Sequence, residues 1–166
     1  RVDRHLLLLY LAGNGQLLMK QLLERFFSSP AYAVVGASES SEKYGNIVYR
    51  YLKDKKFPVY PVNPYHTEVE GNKCYANVSE LPDDVKSVVI VVPPEETDQV
   101  VVQCKAKGIT AVWMQPGAES FEAIEHANEH NIAVIYDACV MVMLSPVKSF
   151  GDLKKWLSKA TALFES

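Results

Sequence analysis

The chain has 166 residues, 48% hydrophobic and 22% charged, with a net charge of −3 at pH 7. That length suits one domain, the composition excludes a chain too polar to fold, and a slightly acidic balance without a Lys/Arg cluster excludes a nucleic-acid binder. Three cysteines, Cys74, Cys104 and Cys139, lack metal-like spacing and read as free thiols of a reducing, cytoplasmic compartment.

Residues 1–18 carry an apolar run, Leu6 to Leu11, after Arg1 and Arg4. It resembles part of a signal sequence, but it lacks a cleavage region and is too short to span a membrane. Met19, followed by Lys20-Gln21-Leu22-Leu23, reads as a natural start. Residues 1–18 are therefore read as a leader or appended segment, and residues 19–166 as a single domain.

The first strand is expected at 31–35. It runs into Gly36-Ala37-Ser38, then Lys43-Tyr44-Gly45-Asn46 opens a helix over 46–55 with Ile47, Val48, Tyr51 and Leu52 on one face. A buried strand, a small-residue turn and a helix N-terminus present unpaired N–H groups to a phosphate, and the helix dipole adds to them. A second strand is expected at 58–62, then an irregular stretch over 63–82 with a short helical turn near 78–81. Strands at 87–92, 111–114 and 133–136 alternate with helices over 95–107 and 119–131. Gly108 is a helix stop. Trp113 and Met114 read as core. His126 and His130 have metal-binding spacing but no third ligand nearby in sequence, and read as a solvated face. Phe150, Leu153, Leu157, Ala160 and Phe164 form a final amphipathic stripe that packs on the sheet or on a second copy of the chain.

Strands that alternate with helices imply right-handed βαβ units. The expected fold is a three-layer Rossmann-like α/β domain with a mainly parallel five-stranded sheet flanked by helices. Ligands of such sheets bind beyond the carboxyl ends of the strands, here the loops 36–44, 63–66, 93–94, 115–117 and 137–141. Of the G-x-G-x-x-G fingerprint only Gly36 is present, and the end of the second strand carries Asn63 in place of an acid, which disfavours NAD(P). No G-x-x-x-x-G-K-[ST] occurs. A ribose 3′-phosphate would suit Lys43 and His66.

The ordered set Gly36-Ala37-Ser38, Lys43-Tyr44-Gly45, Val62-Asn63-Pro64, Gly71 with Cys74-Tyr75, Leu81-Pro82, Val92-Pro93-Pro94, Val112 to Gly117 and Asp137-Ala138-Cys139 resembles the small CoA-binding-domain proteins. These are similar to the CoA-binding domain of the succinyl-CoA synthetase α subunit and of ADP-forming acyl-CoA synthetases. The resemblance implies coenzyme A or an acyl-CoA as ligand. It puts the diphosphate on Gly36, Ala37 and Ser38, with Lys43 and the adjoining Tyr44 beside it. Asn63, Pro64, Tyr65 and His66 would line the adenosine end, and Val92, Pro93 and Pro94 would form a wall. Gln115, Pro116 and Gly117 would follow the pantetheine arm, with Cys139 near its end. Relatives often carry a basic residue where Ala138 stands, so no anion contact is expected there. Ligase chemistry in these relatives needs further domains, including a transiently phosphorylated histidine and an ATP-grasp partner. No paired carboxylates, Ser/His/Asp set or metal cluster stands out, so the expected role is a non-catalytic binding module. The alternatives are a subunit of an acyl-CoA ligase or a thiol-dependent CoA oxidoreductase using Cys139 and, behind both, an NAD(P)-binding protein.

Overall fold

The computed structural model describes residues 14–162. Five strands form one parallel sheet: β1 (Ala31–Val35), β2 (Val59–Val62), β5 (Val85–Ile90), β6 (Ala111–Met114) and β7 (Ala133–Ile135), in the order β2-β1-β5-β6-β7. β3 (Glu68–Val69) and β4 (Asn72–Lys73) make a separate antiparallel hairpin. The helices are α1 (Asn14–Phe26), α2 (Tyr44–Asp54), α3 (Pro94–Lys107), α4 (Phe121–Glu129), α5 (Val140–Met143) and α6 (Leu153–Ala162). The expected three-layer Rossmann-like architecture is present. No helix among the described residues is long and apolar enough to cross a membrane.

Strand side chains alternate between two buried layers, as the two-residue period of a strand requires. Tyr32 and Val34 of β1, Val89 of β5 and Trp113 of β6 face α1, α2 and α6. Ala31, Ala33, Val88, Val112 and Met114 face α3 and α4. The first layer is aromatic. Phe26 lies edge-on to Trp113 at 5.3 Å between centroids, and Phe57 meets Phe150 at 5.0 Å, contacts worth about 0.5–1.5 kcal/mol each beyond area burial. Trp156 of α6 meets Phe27 at 5.7 Å and Leu153 is buried, so the C-terminal stripe packs within the chain. Phe164 falls outside the described residues, as does the Leu6 to Leu11 run.

Helix ends follow local chemistry. α3 starts on Pro94 with Glu95 and Glu96 in its first turn, and stops at Gly108, whose φ of 86° closes bonds to the carbonyls of Cys104 and Lys105. The Ser120 hydroxyl caps α4 by accepting from Ala123 N at 3.1 Å. Several boundaries differ from expectation. β5 ends at Ile90 rather than residue 92, which leaves Val91 and Val92 in a loop. β2 begins after Pro58, which has no N–H to give a ladder. The short helical turn near 78–81 is present as Val78–Glu80.

Candidate functional site

The chain leaves β1 for β2 on one side of the sheet and returns to β5 on the other, so the order reverses between β1 and β5. That reversal opens a crevice at the carboxyl ends of both strands, where ligands of open α/β sheets bind. Two glycines shape its floor. Gly36 has φ +97°, and a Cβ there would lie 2.1 Å from the Val91 carbonyl oxygen. A Cβ on Gly45, in the first turn of α2, would lie 1.9 Å from the Gly36 carbonyl oxygen. The turn after β1 therefore lies against the end of β5 and the start of α2 without intervening side chains.

A cavity of about 1040 Å³ occupies the crevice. Gly36, Ser38, Lys43 and Tyr44 line it from the β1–α2 loop, Asn63, Pro64, Tyr65 and His66 from the loop after β2, and Val92 and Pro93 from the loop after β5. Ala37, expected beside the ligand, is fully buried in the core and does not line this cavity. Among the described residues no acceptor takes the N–H of Ala37 or Ser38, and no side chain caps the N-terminus of α2. The Ser38 oxygen accepts from Ser40 N at 3.1 Å, which leaves its proton to donate. Asn63 donates from Nδ2 to Ala37 O at 2.8 Å and accepts at Oδ1 from Tyr65 N at 2.9 Å.

A second cavity of about 220 Å³ adjoins the first through Tyr44, Val91, Val92 and Pro93, and is completed by Gln115, Pro116, Gly117 and Ala118. Pro94 opens α3 and lines neither cavity. The fully buried Gln115 is occupied internally: its Nε2 donates to Tyr44 Oη at 2.6 Å and to Cys139 Sγ at 3.4 Å, and its Oε1 accepts from Val140 N at 2.7 Å. Cys139 lies 3.6 Å from Tyr44 Oη, behind that phenol, and lines neither cavity. Burial pushes the Cys139 thiol up, but hydrogen bonds from Gln115, Val142 N–H, Tyr44 and Met141 N–H outweigh it and the net shift is downward. Burial, then the Cys139 sulfur, pushes the Tyr44 phenol up to about 12. Cys104, wholly buried, is pushed up to about 12.

The larger cavity also has a polar wall the sequence reading did not assign. Glu96, Gln99 and Gln103 of α3 line it together with Glu95 and Asn77. The helical spacing of 96, 99 and 103 beside the buried stripe Thr97, Val100, Val101 and Cys104 is the signal that points to this face. His126 pairs with Asp98 at 3.0 Å rather than with a metal set. No group of three His, Cys, Asp or Glu side chains positioned for a metal occurs among the described residues.

A family model described as CoA binding domain matches residues 30–145. The chain is 35% identical over 133 residues to the acetate–CoA ligase [ADP-forming] II subunit alpha of Pyrococcus furiosus, covering 74% of this chain and 29% of the relative. It thus spans under a third of that ligase subunit. A solved conserved hypothetical protein from Pyrococcus furiosus superposes with TM-score 0.66 at 43% identity, over 68% of this chain and 97% of that one. The dinucleotide-forming acetyl-coenzyme A synthetase 1 of Ca. Korarchaeum cryptofilum matches at TM-score 0.60 and 34% identity, over 68% of this chain and 27% of that one.

Proposed function

This chain belongs to the CoA-binding domain family, and from that premise we propose that its cleft holds coenzyme A or an acyl-CoA, with the diphosphate on the Gly36–Ser38 turn. The observation that carries the reading is the pair of unbonded N–H groups at Ala37 and Ser38 beside an uncapped helix start. Such groups act as fixed partial positive charges and favour an anion. Lys43 and His66 line the same cavity and supply further donors for phosphate oxygens. A volume of about 1040 Å³ is at the upper end of ligand pockets, generally about 300–1,000 Å³, and suits a long nucleotide conjugate. Glu95, Glu96, Gln99 and Asn77 line the same cavity and offer acceptors and amides to a base or ribose. The smaller cavity beyond Tyr44 takes the thiol end of the pantetheine arm.

The module binds and orients its ligand without chemistry of its own. A second reading, a part within a larger acyl-CoA ligase, is favoured by the match to an ADP-forming acetate–CoA ligase subunit. Calorimetric titration with CoA, acetyl-CoA, NADH and ATP tests the ligand. CoA binding in the micromolar range, several-fold tighter than NADH, is the expected outcome. Lys43→Gln should weaken CoA by roughly fivefold, the equivalent of about 1 kcal/mol for one exposed charge-assisted contact. A preference for NADH, or no binding, overturns the reading.

A further inference from the structure

An anion site made of backbone needs more than N–H groups that face inward. Every peptide also carries a carbonyl oxygen, and a bare lone pair beside a phosphate repels it. In the β1–α2 loop, residues 36–43, five carbonyls have donors, and the last of them, Lys43 O, takes Ile47 N of α2 at 3.1 Å. Ser40 O accepts from Lys43 N at 3.1 Å, a bond within the loop. The other three anchored carbonyls are held by side chains from outside it. Asn63 Nδ2 donates to Ala37 O at 2.8 Å, Asn46 Nδ2 to Ser38 O at 2.7 Å, and an Arg50 guanidinium nitrogen to Ser41 O at 3.3 Å.

Asn46 is the hub. It is fully buried. Besides Ser38 O, its Nδ2 reaches Glu70 Oε2 of the β3–β4 hairpin at 3.2 Å, and its Oδ1 accepts from Arg50 Nε at 2.6 Å. The amide is thus fixed from both ends, and the Arg50 fork spans Asn46 and Ser41 together. We infer that Asn46, Arg50 and Asn63 are positioning residues that hold the carbonyls of Ala37, Ser38 and Ser41, so that these lone pairs are turned to side-chain donors and not to a diphosphate on the Ala37 and Ser38 N–H groups. This gives Asn63 a role that an acid could not fill. A carboxylate has no proton for Ala37 O, so the acid that NAD-binding sheets place at this point is incompatible with this loop.

The inference rests on the cleft being the diphosphate site proposed above, and the test separates the two. Asn46→Leu, which keeps the number of side-chain heavy atoms and removes the amide, and Arg50→Gln, at a half-exposed position, are compared with the parent chain. Each is titrated with CoA, with ADP as a diphosphate probe and with adenosine as a probe lacking phosphate, while the unfolding midpoint is recorded. Loss of one anchoring bond of this kind should weaken CoA and ADP by roughly tenfold and leave adenosine within about twofold. Unchanged ADP and CoA affinity in a folded variant overturns the inference. An equal loss for all three probes also overturns it, because that is the mark of general structural damage. If Asn46→Leu does not fold, Arg50→Gln alone decides. A parent chain that binds ADP but not CoA refutes the CoA reading and still lets the variants decide this one, and a parent that binds neither refutes both.

Discussion

Three glycines separate two reasons for requiring the residue, and alanine at each measures them. Gly36 and Gly117 share a φ of +97°, but a Cβ on Gly117 meets nothing within 4 Å, whereas on Gly36 it falls 2.1 Å from Val91 O. Gly45 has no positive φ, only the 1.9 Å approach to Gly36 O. Gly117→Ala therefore reads the conformational cost alone, about 1–2 kcal/mol. Gly36→Ala adds an overlap with backbone, which overpacking data put at about 1–3 kcal/mol, for a total of roughly 2–5 kcal/mol. Gly45→Ala gains about 1 kcal/mol of helix propensity but must displace a carbonyl only 1.9 Å away, an overlap in the upper part of the overpacking range at about 2–3 kcal/mol, so a net loss of about 1–2 kcal/mol is expected. Urea denaturation gives the three differences directly. In a thermal scan Gly36→Ala should lower the midpoint by roughly 10 °C, at about 2–4 °C per kcal/mol for a chain of this size. If Gly45→Ala is neutral or stabilising, or Gly36→Ala costs no more than Gly117→Ala, the close apposition of turn, strand end and helix is refuted.

Other expectations concern the thiol and its surroundings. Iodoacetamide followed by peptide mass spectrometry should find Cys139 alkylated with a pH midpoint below the ordinary thiol value, ahead of Cys74 and Cys104, which burial pushes up; the reverse order refutes the hydrogen-bond account. Because the folded Cys139 thiol ionises below its unfolded value, its contribution to stability is lost as pH falls through the folded pKa and grows as pH rises toward about 8.5–9. The stability gap between the parent and Cys139→Ala should widen over that window, and a flat gap contradicts it. Gln115→Leu strands the Val140 N–H and should cost about 1–3 kcal/mol in denaturation, with the Cys139 midpoint moving up. Ser87→Ala removes the 2.6 Å bond by which buried β5 holds the Phe26 carbonyl at the end of α1, a loss of about 1 kcal/mol by the same assay.

The sheet was legible because its strands are short apolar runs bounded by turn residues, and β1 and β6 match the sequence reading residue for residue. The end of β5 was not. Val91 and Val92 are as apolar as the strand before them, yet both line the cavity, and composition does not distinguish a residue facing the sheet's core from one facing a cleft. The β3–β4 hairpin looks irregular in sequence because its strands have two residues each and its turn puts Glu70 at φ 51°, where Asn or Asp is the usual signal. α1 escapes the sequence reading because that reading treats residues 1–18 as a leader, while the helix runs from Asn14 and buries Met19, Leu23 and Phe26. At the cleft, residue types pointed to loops that line the cavities without revealing which atoms are spare. Gln115 borders the smaller cavity, but its amide is used by Tyr44, Cys139 and Val140. The anchoring role of Asn46 comes from Ser38 and Glu70, eight and twenty-four residues away, a relation no local pattern carries.

Both tryptophans of the chain, Trp113 and Trp156, stand in the aromatic layer on one face of the sheet, and the aliphatic layer on the other face has none. The indole N–H of Trp113 is tied to the carbonyl of Ala138, the residue before Cys139. Tryptophan fluorescence is thus an optical gauge of half the molecule. It follows the loosening of α1 and α6 from the sheet, and through the Ala138 bond it also responds to the cysteine loop. Separation of α3 and α4 on the far side leaves the emission dark to the event, so an unfolding curve from this signal needs circular dichroism beside it before it describes the whole domain.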